Sequence, residues 1–178
     1  MNVTRTPTSQ TIVTTTSMTE TRLMWGMPIT VQIAGPTNGD GVESVSGKNP
    51  TRGIQIVFDY FAYIDDKFST YKPNSEISLI NQGVLSLDEA SQDMRTVFAL
   101  AEEMRQATGG YFDIYHDGKV DPSGLVKGWA ISNAADMLLD AGYAHFYVEA
   151  GGDFQVAGLS PQGWPWRAGI RPQPIQPG

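Results

Sequence analysis

The chain has 178 residues, 40% of them hydrophobic and 17% charged, with a formal net charge of −7 and no cysteine. That length and composition fit one globular domain, and the lack of cysteine excludes disulfides, thiolate metal sites, a cysteine nucleophile and a lipid anchor on cysteine. The acidic balance and the absence of a basic stripe argue against nucleic-acid binding, which rests on clustered Lys and Arg; no apolar run is long enough to span a bilayer, so no membrane insertion is expected.

Residues 1–22 are Thr- and Ser-rich without an apolar h-region, so they read as a disordered leader rather than a secretory signal, and a cytoplasmic location is the expectation. Residues 29–34 alternate apolar and polar side chains and predict a half-buried strand ended by Gly35-Pro36, with a flexible Gly/Ser/Asn connection after it. Over residues 51–68, Ile54, Val57, Phe58, Phe61 and Ile64 recur at helical spacing and predict an amphipathic helix packed on the core, with Asp65 and Asp66 solvated or capping at its end. A second helix over 88–108 places Met94, Val97, Phe98, Ala101 and Met104 on one face and stops at Gly109-Gly110. A third runs from about 124 to 141, with Gly142 as its stop. Residues 146–150 then read as a strand leading into Gly151-Gly152-Asp153, and 154–158 and 166–171 as two more around Pro161-Gln162-Gly163. The order predicts an α+β fold with helices packed on a mixed or antiparallel sheet. The 173–178 tail is too rich in proline to enter the middle of a sheet.

Chemistry concentrates in the run from Asp121 to Trp129, Asp-Pro-Ser-Gly-Leu-Val-Lys-Gly-Trp. Ser123 is a suitable N-cap, Gly124 admits a close ligand, and Lys127 lies one turn in, so free N–H groups, the helix dipole and a cation together suit a phosphate or diphosphate. The same residues also fit an ordinary capped helix with a solvated lysine. Tyr71, held between Phe68-Ser69-Thr70 and Lys72-Pro73, fits either a buried tyrosine or an aromatic face for a flavin or adenine ring. Glu76 and Asn81 read as fixing the next short helix. Gly151-Gly152-Asp153 reads as a tight turn that could also face a ligand, His145 as an exposed residue at a strand start, and His116 as a loop residue that could face the site.

Five segments occur in order: Trp25-Gly26-Met27-Pro28; Phe68-Ser69-Thr70-Tyr71 with Ser75-Glu76-Ile77 and Asn81; Gly109-Gly110-Tyr111-Phe112-Asp113; Asp121 to Trp129; and Gly151-Gly152-Asp153. Together, over residues 23–172, they resemble the ApbE family of FAD:protein FMN transferases. The resemblance implies a T-fold-like flavin-binding domain. It implies FAD contacts at Tyr71, Tyr111, Phe112, Asp113, Asp121 and Lys127, and a magnesium ligand at the carbonyl of Gly124. The implied reaction is Mg²⁺-dependent transfer of FMN from FAD to a threonine of a target flavoprotein, with release of AMP.

The resemblance also has gaps. Family members continue beyond the end of this chain, with an Asp and Thr pair that completes the magnesium site and a catalytic histidine, so the domain is expected to be incomplete at its C-terminus and the chain to be a fragment of a transferase. Trp25 stands where the family has methionine and Ser132 where it usually has aspartate, and the stretch between Asp113 and Asp121 is shorter than in many relatives. Two other readings follow from these gaps: a module that binds FAD without processing it, and an interaction protein on a decayed transferase scaffold. No catalytic residue is assigned.

Overall fold

The computed structural model describes residues 17–34 and 48–169. Strands β1 (Met18–Met24) and β2 (Met27–Ile33) are followed by α1 (Pro50–Phe68), α2 (Glu76–Asn81), a 3₁₀ turn at Leu87–Glu89 and α3 (Gln92–Ala107). The short strands β3 (Tyr115–His116) and β4 (Lys119–Val120), then α4 (Ser123–Asp140), β5 (Phe146–Ala150) and β6 (Asp153–Ala157), complete the order.

Two hairpins build the main sheet. Trp25 and Gly26 both take positive φ, as do Gly151 and Gly152; two such residues in succession make the turn whose twist matches antiparallel strands. Antiparallel pairing of β2 with β5 joins the hairpins in the order β1-β2-β5-β6. The register sets Ile29 opposite Ala150, Val31 opposite Val148 and Ile33 opposite Phe146, and all six are buried. The alternation in the sequence therefore marks the face that the helices cover.

Helix α1 begins at Asn49, whose side chain accepts the Thr51 N–H, and Pro50 follows at the first helical position, where no N–H is needed. Ile54, Val57, Phe58, Phe61 and Ile64 are all buried as its spacing predicts, and they form one core with Ala130, Ile131, Ala134 and Leu138 of α4 and the inner face of the sheet. The fold is α+β with an antiparallel sheet, as expected.

Several boundaries differ from expectation. The expected leader reached residue 22, but residues 18–22 belong to β1, whose Met18 and Met24 pack against the core; a run of Thr, Arg and Glu needs no apolar period of its own to form a strand when β2 offers it a complete ladder. Helix α3 starts later than expected, at Gln92, with Ser91 accepting the Met94 N–H. Its Met94 is core, while Met104 is 42% exposed. Among the described residues no strand follows β6: residues 166–169 have no regular structure, and the Trp166 side chain donates to the Ala157 carbonyl at 2.9 Å and stacks on Tyr147. His145, expected exposed, is half-buried and accepts the Leu159 N–H through Nδ1 at 2.8 Å. The rest of the expected leader, the 35–47 connection and the 173–178 tail lie outside the described residues. None of the helices among the described residues is long and apolar enough to cross a membrane.

Candidate functional site

The start of α4 differs from expectation in one respect that matters chemically. Ser123 is the first helical residue and not its cap; Pro122 takes the cap position, and it is the Asp121 carboxylate that accepts the Ser123 N–H, at 3.0 Å. Proline carries no side-chain acceptor, so the residue before it supplies one. The Leu125 and Val126 N–H groups turn back to the Pro122 carbonyl. Gly124 N–H finds no acceptor among the described residues. It is the free donor of the first turn, at the positive end of the helix dipole.

Gly124 lines a cavity of about 400 Å³, within the roughly 300–1,000 Å³ of small-molecule sites. Ser123, Gly124, Val126 and Lys127 form one wall, Ser69, Thr70 and Tyr71 another, and Trp25, Met27 and Asp153 close the sheet end. Each wall is fixed by a definite contact. Trp25 donates its indole N–H to the Phe61 carbonyl at 3.2 Å and packs edge-on against the Phe61 ring. Ser75, almost fully buried, donates to the Ser69 carbonyl and accepts the Ser78 N–H, which pins the 69–71 turn to α2. Lys72 bridges Asp65 and Asp66, of which Asp66 is 73% exposed and so solvated as expected.

Thr70 and Tyr71 are shared with a second, larger hollow of about 810 Å³, lined also by Asn81, His116, Lys119 and Asp121. The β3–β4 hairpin that forms its far side had no periodicity to announce it. Asn81 holds that hairpin in place: its amide donates to the Val120 carbonyl at 2.9 Å and its oxygen accepts the Val120 N–H at 2.7 Å, as a neighbouring strand would. Glu76 accepts from the Ser91 N–H, the Ser91 hydroxyl and Lys67. Burial opposes its ionisation, but these donors outweigh burial and hold its carboxyl below the ordinary 4.5.

The expected flavin-contacting residues thus fall into groups. Lys127 and Tyr71 meet at the first cavity, together with Gly124, the expected magnesium ligand; Tyr71 and Asp121 meet at the second. Tyr71 is 95% exposed and so is not the buried tyrosine that its sequence also allowed. Tyr111, Phe112 and Asp113 line neither cavity. Tyr111 is 98% exposed, a Cβ on Gly124 would lie 3.6 Å from the Phe112 ring, and Asp113 accepts the Tyr115 N–H at 2.9 Å. His116 does reach the second hollow. Asp153 proves more involved than a turn residue, with its carboxylate 3.0 Å from Lys127 Nζ.

No three His, Cys, Asp or Glu side chains converge as metal ligands among the described residues. Asp121 and a carbonyl at Gly124 do not by themselves supply the near-octahedral oxygen shell that magnesium demands.

A family profile described as the ApbE family matches residues 25–118 and 114–177. The chain is 41% identical, over a 194-position alignment, to a curated FAD:protein FMN transferase of Vibrio cholerae, an alignment covering 79% of this chain and 58% of that protein. Among solved structures, the flavin transferase ApbE from Vibrio cholerae superposes with a TM-score of 0.72 at 20% identity, covering 88% of this chain and 64% of that one. The apo flavinyl transferase ApbE of Pseudomonas stutzeri does so with a TM-score of 0.75 at 16% identity, covering 90% and 64%. At such identities the superpositions establish the fold. This chain spans less than two thirds of the length of each of these relatives. By the profile match over most of its length, the chain belongs to the ApbE family.

Proposed function

We propose that this chain is the flavin-dinucleotide-binding portion of an FAD:protein FMN transferase. The observation that carries the reading is the first cavity, which is lined together by Gly124, whose N–H has no acceptor among the described residues, by Lys127 and by the exposed Tyr71. A diphosphate suits the helix start and the lysine, and a planar ring suits Tyr71. In this reading a threonine hydroxyl of a target flavoprotein attacks the phosphorus on the flavin side of FAD. A new oxygen–phosphorus bond forms as the bond to the AMP phosphate oxygen breaks, AMP leaves, and the hydroxyl proton is lost to the medium. Asp121 and, across the second hollow, His116 border the space from which an acceptor would approach. Magnesium, if bound, would be held in part by the Gly124 carbonyl and would neutralise charge developing on the diphosphate. Tyr111, Phe112 and Asp113 belong to the reading only through the family resemblance, in which their segment lines the FAD site.

Titration calorimetry with FAD, FMN and riboflavin tests the binding half. FAD should bind most tightly; equal affinity for riboflavin would remove the phosphate site. Lys127→Ala should weaken FAD by about 1–3 kcal/mol, the loss of a charge-assisted hydrogen bond. Incubation with FAD, Mg²⁺ and a threonine-bearing acceptor protein, followed for AMP and covalent flavin, tests transfer. FAD binding without transfer would favour the non-catalytic module.

A further inference from the structure

Lys127, the one cation among the described residues that line the first cavity, does not stand free in it. Its ammonium lies 3.0 Å from a carboxylate oxygen of Asp153, and both residues line the same space. The contact is built by the fold. Gly151 and Gly152 turn the chain so that Asp153 opens β6 directly opposite Ala150, and Glu149 accepts the Gly152 N–H at 2.7 Å and stiffens that turn. Gly151 lies close enough that a Cβ there would sit 3.7 Å from Lys127 Nζ. The side chains are 29% and 56% exposed. An ion pair so wetted is weak. It is strong enough to orient a lysine and weak enough to yield to a more highly charged anion.

We propose that Asp153 is a specificity-determining and positioning residue of this cavity: its carboxylate occupies Lys127 as a stand-in anion, which a diphosphate displaces and a singly charged group does not. The inference rests on the dinucleotide reading of the same cavity. A diphosphate brings more charge than one carboxylate and also engages the free Gly124 N–H, so it outcompetes Asp153. A carboxylate or a neutral flavin gains nothing from the exchange. Asp153 thereby keeps the lysine pointed into the cavity while making it deaf to common cellular monoanions.

The test measures binding of inorganic pyrophosphate and of FAD to the whole chain and to Asp153→Asn, Lys127→Ala and the double variant, with melting curves to confirm folding. Asp153→Asn should bind pyrophosphate about three- to tenfold more tightly, since it loses a weak ion-pair competitor and one repelling charge. In the Lys127→Ala background the same substitution should give almost no gain. Equal or weaker binding by Asp153→Asn overturns the proposal, as does an undiminished gain without Lys127, which would mean simple charge repulsion, or failure of every variant to bind pyrophosphate. If Asp153→Asn gains pyrophosphate affinity while no variant binds FAD, the competition stands and the flavin reading falls. If FAD binds and Asp153→Asn changes nothing, the reverse holds.

Discussion

Gly151 shows how one backbone position serves the turn and the cavity together. Its φ of +56° is a conformation that side-chain-bearing residues resist, and a Cβ there would lie 2.7 Å from Met27 Sδ. Gly151→Ala should therefore cost about 1–3 kcal/mol in denaturant unfolding, and it should also weaken FAD, because Met27, which lines the cavity, must move. A change in stability with no change in affinity would confine Gly151 to the turn. Trp25 is the companion case: a tryptophan at φ +54° is strained, and its indole contact with Phe61 keeps it there.

Helix α2 is a short element that fixes two others. Asn81 at its end carries the β3–β4 hairpin, and Val120 of that hairpin directly precedes Asp121. Asn81→Ala should lose two hydrogen bonds, about 1–3 kcal/mol, and faster amide exchange should concentrate at Val120. Uniform exchange across the molecule would show that the hairpin has another support. At the other end of α2, Glu76 ties Ser91 and Lys67. Its folded pKa is held below its ordinary 4.5, so its contribution is present above that pH and is lost as pH falls through the folded value. Stability should fall with pH in acid below about pH 4.5 for the native chain, and Glu76→Gln should flatten that fall while lowering stability at neutral pH. An unchanged acid limb would remove Glu76 from the account.

For the molecule as a whole, α1 is the spine. Phe61 is fully buried, touches Trp25 at the cavity mouth and belongs to the core shared with α4 and the sheet. Phe61→Ala should cost about 3–5 kcal/mol, a large share of the stability of a domain this size, and thermal melting with and without FAD should show both lower stability and a smaller ligand-induced shift. A full FAD shift in the destabilised variant would separate Trp25's placement from Phe61.

Read alone, the sequence determined the elements whose period is set by one buried face. Ile54 through Ile64 on α1, Ile29 to Ile33 on β2 and Phe146 to Ala150 on β5 alternate or recur because each side chain answers to a single core. It also located the start of α4 and the resemblance that the profile match bears out, since glycine, proline and a lysine one turn in have local chemical meaning. Tertiary structure decided the rest. That β1 reaches back to Met18 depends on a ladder offered by β2, which no property of its own residues announces. That Asp121 and not Ser123 satisfies the first N–H follows from the rigid proline between them. That Asp153 meets Lys127 across 26 residues of chain depends on where β6 lies beside α4, because a salt bridge between distant residues leaves no period and no spacing in the sequence to read.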